Sequence, residues 1–422
     1  NDLISAPLNG QQFGAFATAN TNLAASGTLR AFAIFDNDAT PAGEFVNYDT
    51  GTNANTVITS GTGFRAGTTV GSSLTFTGTV NTSTVNTPIT IGSGSIWNLV
   101  GNPYPSYIKL SDFLTENNSK FDTSYAGVYG YNGSGYSIWN AAYALLNPNA
   151  VITPGQGFFV AADAAGPVNV LFTPIMRTTG TTDDFISGRN SNTDVALSKL
   201  NLYIPDNNTY ETDIYFIEGT TSGLDPGFDS GTFSSAPPSI FTHLVEENTG
   251  VEMAIQSLPY NDFNDVVVAL GIKVSADTLF SIGINDESSI PANINVYLED
   301  NVAETLTLLN DGDFRLTPSE ALNGTGRFYI HYTANSLSTK DNQLNSLYIY
   351  TTPSSETLFV KGQLKNKTKA NLYDIQGRLV LSKNLNYNSN SNTIDISTLS
   401  TGIYIVKVTN NSQTKTQKII IK

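Results

Sequence analysis

The chain has 422 residues, a formal net charge of −15, 14% charged side chains and no cysteine. The missing thiols exclude disulfides, thiolate nucleophiles and Cys-ligated zinc, so every domain must be held together by burial. An acidic surface repels phosphates, which counts against nucleic acid as a partner, and no apolar run approaches the roughly 20 residues of a membrane-spanning helix.

Abundant Thr, Ser, Asn and Gly fit an all-β extracellular chain, long enough for about two to four domains. It opens directly on the strand-like NDLISAPLNG without a signal peptide, so the expectation is a mature or partial chain whose export signal lies upstream. VITSGTGF at 57–64 recurs as VITPGQGF at 151–158, an offset of 94, and Leu3–Pro7 (LISAP) returns as Leu99–Pro103 (LVGNP), an offset of 96. Phe76-Thr77 returns as Phe172-Thr173, and AFAIFDND and GVYGYNGS are comparable strand-into-turn segments. A fixed period in matching order marks a duplication. Neither half has enough strands for two covered sheets, so residues 1–190, with copies of about 1–95 and 96–180, are read as one pseudo-symmetric β-sandwich unit.

Helix is expected only at Leu110–Glu116 and at Thr317-Pro318-Ser319-Glu320, which has the capping-box spacing. The polar stretch 179–195 reads as a linker, some ten strands follow as a second sandwich over 196–340, and STKDNQLN links it to a tail at 346–422.

The chemistry-bearing residues are sparse. His243 and His331 lie in separate alternating strands with no marked co-ligands, and a structural role is preferred for both. There is no Gly-x-Ser-x-Gly elbow, Walker loop or His-Glu-x-x-His motif, and catalytic residues are expected to be none. GTGFRA at 61–66 formally fits a dinucleotide fingerprint, yet no helix pattern follows, and it reads as a glycine turn entering a buried strand. Asp36, Asp38 and Glu44 could supply oxygens to calcium, the one cofactor considered, although Asx side chains at a turn tip are the preferred account. Tyr131, Tyr136 and Trp139 on one hairpin offer rings for stacking on a glycan, with core packing the preferred alternative.

The tail reverses the charge. From Ser346 onward ten basic residues face three acidic ones, a net charge of +7, while the preceding 345 residues carry 11 basic and 33 acidic, or −22. Short β-branched and aromatic runs give about six or seven strands, with Gly377 in a hairpin that should pair Leu372-Tyr373 with Leu379-Val380.

NLYDIQGRLVLSKNL, then IDISTLSTGIYIVKV and the terminal KIIIK resemble the C-terminal sorting domain of type IX secretion cargo of Bacteroidetes, in a variant without the Tyr-Pro-Asn-Pro opening. WNLVGNPYPSYI, ITPGQGFFV, NVYLEDN and GTGRFYIHYT resemble the region that often precedes such tails, for which no activity is implied. The resemblance implies a small immunoglobulin-like fold and transport through the periplasm to the cell surface or medium. The implied partners are an outer-membrane β-barrel shuttle and a translocon, with a lipopolysaccharide anchor or extracellular glycans outside the cell. Gly377, Gly402 and Tyr404 belong to the matching motifs. Lys415, Lys418, Ile419, Ile420, Ile421 and Lys422 form a Lys-flanked aliphatic edge strand suited to recognition. Asp277-Thr278-Leu279 resembles the O-glycosylation acceptor triplet of these bacteria, placing a sugar on Thr278. The expected function is a non-catalytic stalk and export signal; the alternatives are a carbohydrate-binding adhesin module and an accessory region of a glycoside hydrolase.

Overall fold

Strands make up nearly all the regular structure of the computed structural model, as runs of β-branched and aromatic residues between Gly, Asn and Pro predict. The structure describes residues 1–69, 73–133, 135–164, 166–181, 195–205, 209–234, 236–260, 263, 266–334, 347–351, 356–362, 364, 367–387, 389–410 and 414–421. Most of the expected linkers at 179–195 and before the tail, and Lys422, therefore lie outside the described residues. Contacts divide the chain into two units. One is Asn1–Asp262, Val268–Pro291 and Asp311–Ile330; the other is Phe263–Val267, Ala292–Asn310 and His331–Lys422.

In the first unit the duplicated segments repeat the same pairing. Asp2–Ser5 runs antiparallel to Gly63–Ala66 with Ile4 opposite Phe64 and Ser5 opposite Gly63. Trp97–Gly101 meets Gly157–Ala161 with Val100 opposite Phe158 and Gly101 opposite Gly157. A third strand joins each pair in equivalent register, Ala33 opposite Arg65 and Tyr129 opposite Phe159. The copies also touch reciprocally: the Ser5 N–H donates to the Gly155 carbonyl (2.7 Å) and the Gly101 N–H to the Gly61 carbonyl (2.9 Å).

This contact explains the Gly-x-Gly-Phe motif. Gly61 and Gly155 turn the chain at φ +86° and +69°, a region other residues avoid. At the second glycine the backbones of the two copies close on each other. A Cβ on Gly63 would sit 2.7 Å from the Val100 carbonyl, and one on Gly157 would sit 2.7 Å from the Ile4 nitrogen. GTGFRA thus enters a strand, Gly63–Ala66, and no helix.

Each copy carries a corresponding helix on its core, Phe13–Ala19 and Leu110–Asn117, the first unexpected and the second expected. A buried asparagine ends each one. Asn20 Nδ2 donates to the Phe16 (2.8 Å) and Thr75 (2.9 Å) carbonyls while its Oδ1 accepts from the Thr75 N–H (2.7 Å). Asn117 repeats this on Phe113, Leu171 and the Leu171 N–H at 3.0, 3.0 and 2.8 Å. A further unexpected helix, Ala141–Leu146, is capped by Asn140, which accepts from the Tyr143 N–H at 3.1 Å. Thr317–Glu320 forms no helix; it lies in the short connection between the Phe314–Leu316 and Leu322–Thr333 strands, with a bend at Ser319-Glu320.

The rest of this unit is built on Val195–Tyr203, antiparallel to Thr209–Ile217 and to Phe280–Ile284, with Thr209–Ile217 parallel to Met253–Pro259. Nearly all of Val195–Tyr203 is buried. Val195, Leu197 and Tyr215 pack in one cluster with Ala142, and Phe233 packs with Phe159 and Trp97, so apolar packing joins residues on both sides of 182–194.

In the second unit Asn295–Asp300 pairs with Thr305–Leu308. The tail forms a three-stranded sheet (Tyr348–Thr351, Thr357–Lys361, Ser391–Asp395) and a four-stranded one ordered Leu379–Leu385, Thr368–Asp374, Gly402–Thr409, Thr414–Ile421. Alternate residues Leu358, Val360, Ala370, Leu372, Ile394, Val406 and Val408 fill the core. At the hairpin Gly377 has φ +78°. Tyr373 pairs with Leu379 as expected, but a bulge moves Leu372 opposite Leu381 instead of Val380.

Candidate functional site

The terminal strand Thr414–Ile421 lies at the edge of its sheet, bonded along its length to Gly402–Thr409. Alternation divides it. Ile419 is buried, whereas Lys418 and Ile420 face outward. On the outer edge the Thr351 hydroxyl donates to the Ile420 carbonyl (2.9 Å) and Lys415 Nζ donates to the Leu347 carbonyl. Ile421 packs against the core and pairs with Gly402.

Of the motif residues, Tyr404 is interior: it is 8% exposed and its hydroxyl donates to the Ser400 carbonyl at 2.8 Å. Gly377 sits at a hairpin tip closed by Asp374, which accepts from the Arg378 N–H (2.9 Å) and Nε (2.7 Å). The backbone bond from Arg378 is the largest cause lowering the Asp374 pKa; desolvation opposes it, and the Arg378 side chain and the Gln376 N–H add to the lowering. Lys418 and Ile420 therefore form the outward part of the expected recognition strand.

They have apolar neighbours the sequence reading did not single out. Ile403 is opposite Ile420, Ile405 opposite Lys418, and Tyr373 lies between Ile405 and Leu379. Leu379 is 54% exposed and Ile403 43%. Pairs directly opposite share a face, so Leu379, Tyr373, Ile405, Ile403 and Ile420 form one apolar band beside Lys418 and Lys407. The period-2 pattern of GIYIVKV carries this signal, since Ile403 and Ile405 alternate with the buried Tyr404 and Val406.

A second constellation lies in the interior of the same unit. Glu299 is 2% exposed; its Oε2 accepts from His331 Nε2 and from the Tyr350 hydroxyl, both at 2.7 Å. Its Oε1 is 2.9 Å from Lys361 Nζ, which also donates to Asn301 Oδ1 at 3.2 Å. A carboxylate can only accept, so Nε2 carries the proton of the His331 bond. Burial pushes the Glu299 pKa up, but the His331 bond and charge, Lys361 and Tyr350 outweigh it and bring the pKa to about 2. Tyr348 stands edge-on to the His331 ring at 4.6 Å, and Phe359 lies 5.7 Å from Lys361 Nζ. Sequence reading placed His331 as structural without its partners, because Glu299 and Lys361 lie on other strands.

The remaining sequence-predicted residues are dispersed. Asp36 and Glu44 face each other across exposed strands; Asp36 accepts from the Asp38 N–H in a local turn bond, and Asp38 accepts from the N–H of the distant Ser93, both at 3.0 Å. Among the described residues no group of three His, Asp or Glu side chains is placed to hold a metal. Tyr131 and Tyr136 are half-buried with rings 5.6 Å apart, and Tyr136 stacks on Phe233 at 4.0 Å. Trp139 is 3% exposed and stacked on Tyr143, so its ring is spent on packing. Thr278 is partly exposed in the turn after Val266–Val274, beside the exposed Leu279. His243 is near Asn248 (3.2 Å), and burial lowers its pKa.

Two buried acids in the first unit have strongly raised pKa values. Burial takes Asp213 to about 7 against the pull of Lys199. It also takes Asp229 to about 7, although two backbone N–H bonds, from Asp225 and Ser257 (both 2.6 Å), oppose it. Asp213 belongs to a cluster in which Lys199 meets Glu287 (3.0 Å), Glu211 (3.5 Å) and Asp213 (3.9 Å).

Residues 4–332 match a family described as a domain of unknown function, DUF8693. Residues 348–422 match the secretion system C-terminal sorting domain. Neither description names a catalytic activity. No curated protein matches the chain. Among solved structures, a biofilm associated protein BSP domain aligns over 97% of this chain and 69% of its own at 9% identity, with a TM-score of 0.23.

Proposed function

The chain belongs to the DUF8693 family and ends in a type IX secretion sorting domain, and from that premise we propose that it is the non-catalytic C-terminal stalk and export signal of a surface-displayed or secreted protein. The sorting tail implies delivery to the cell surface. The observation that carries the finer reading is the outward band on the four-stranded tail sheet, with Ile403, Ile420 and Lys418 at the edge strand. An outer-membrane shuttle and translocon that accept folded cargo must read such a surface, because the core is closed to them. Fractionation of cells carrying a deletion of Lys418–Lys422 tests it. Periplasmic retention with the upstream region folded is expected, and normal surface delivery would overturn the role.

A glycan-binding role on the displayed surface is the second reading, supported by the partly exposed Tyr131 and Tyr136 rings. Replacing both by Ala should abolish retention on a glycan array; unchanged retention removes this reading. We also assign Thr278 as an O-glycan acceptor, on its exposed turn. Loss of a sugar mass in Thr278→Ala checks it.

A further inference from the structure

The Glu299 constellation holds more than an ion pair. Lys361 Nζ is 2.9 Å from Glu299 Oε1 and 3.2 Å from Asn301 Oδ1, which is one bond from the amide carbon Cγ. An amine, an amide carbonyl and a carboxylate within reach of the amine are the complete set of groups needed for amide exchange. The geometry points to a self-formed isopeptide bond between Lys361 and Asn301.

The supporting observations concern burial and position. Lys361 is 7% exposed and Glu299 2%, so the amine is held away from bulk water against its target. Glu299 lies in the Asn295–Asp300 strand and Asn301 directly follows it; Lys361 ends the Thr357–Lys361 strand. Lys361 is thus anchored in a strand and Asn301 in the turn at the end of one, which brings them together within one chain and replaces a bimolecular encounter by an intramolecular one. The other oxygen of Glu299 is held by His331 and Tyr350, both at 2.7 Å, so the carboxylate cannot swing away from Nζ.

The step balances without any oxidant or cofactor. Glu299 Oε1, 2.9 Å from Lys361 Nζ, takes a proton from the Lys361 ammonium. Nζ then attacks Asn301 Cγ, and the proton held by Glu299 passes to Nδ2. Glu299 then takes the second proton from Nζ, the Cγ–Nδ2 bond breaks, and the ammonia leaves with that proton as ammonium, so Nζ keeps a single amide proton. Glu299 ends as the carboxylate it began as. His331 and Tyr350 act as positioning residues.

The bond would join residue 301, inside the 4–332 family region, to residue 361, inside the sorting domain. Backbone cleavage between the two would then leave the tail attached.

Tryptic peptide mass spectrometry of the full chain after export tests this. The expected result is a branched peptide containing Asn301 and Lys361, lighter than the two separate peptides by one ammonia, with no cleavage after Lys361. Lys361→Arg and Asn301→Ala should each abolish it. Glu299→Gln, with both reacting groups in place, should abolish it as well; an undiminished branched peptide in a folded Glu299→Gln protein overturns the proton-transfer role. Separate wild-type peptides of full mass, with cleavage after Lys361, overturn the bond itself.

Discussion

Two buried lysines, one in each unit, show how the same side chain in the same strand setting acquires different chemistry. Lys199 is surrounded by Glu287, Glu211 and Asp213, and two of those acids are about half exposed. Lys361 has one buried carboxylate, shared with His331 and Tyr350, and one amide. Around Lys199 the negative charge is in excess: burial alone would lower its pKa, but three carboxylates raise it, so its amine stays an ammonium and unreactive. Around Lys361 the charges nearly balance and an electrophile is in reach.

The largest expected effect comes from breaking the second cluster. Glu299→Ala leaves Lys361 and His331 facing no carboxylate, and stranding a buried charge costs about 3–5 kcal/mol. Calorimetry should show the transition of the second unit falling while that of the first is unchanged. Lys199→Met is expected to be milder, about 1–3 kcal/mol, because Glu211 and Glu287 turn to solvent and chiefly Asp213 loses a partner. An equal or larger loss would mean that the two clusters are equivalent after all.

Acid sharpens the contrast through its sign. Glu299 has a folded pKa near 2, below the unfolded value of about 4.3, so its contribution is present above about pH 4.3 and is lost as pH falls through about 2. Asp213 and Asp229 are raised to about 7, above an unfolded value of about 3.9. Their contribution is greatest below about pH 3.9 and is lost as pH rises through about 7. Between about pH 4 and 7 the first unit should therefore lose stability with rising pH while the second holds level, as urea titrations following each unit's transition would show. The smallest effect is expected for Ile420→Lys, outward on the edge strand: within about 0.5 kcal/mol on stability, with the change confined to export. A large fall in unfolding temperature would mean that this face is packed, not displayed.

The duplicated region separates what a pattern can and cannot reveal. The Gly-x-Gly-Phe repeats were legible, and so was the strand that follows each. Their reason was not, because the carbonyl and nitrogen that exclude a side chain at Gly63 and Gly157 belong to the other copy. Phe13–Ala19 escaped notice since Gly14 and Thr18 weaken its helical pattern; the burial of Phe13 and Phe16 supports it instead. Asn20 and Asn117 read as ordinary polar residues until their partners, Thr75 and Leu171, are seen beside them.

By itself the sequence determined what depends on local order: alternation in the tail strands, the Gly377 hairpin, the reversal of charge at the tail and the motifs that match a sorting domain. These survive as one-dimensional patterns because strand alternation and turn chemistry act over a few residues. Tertiary structure alone decided the rest. Glu299, His331 and Lys361 are distant in sequence and sit on three strands, and only the folded second unit places the carboxylate of one between the imidazole and the amine of the others. No local period encodes that meeting, because it is set by strand pairing and burial across the unit.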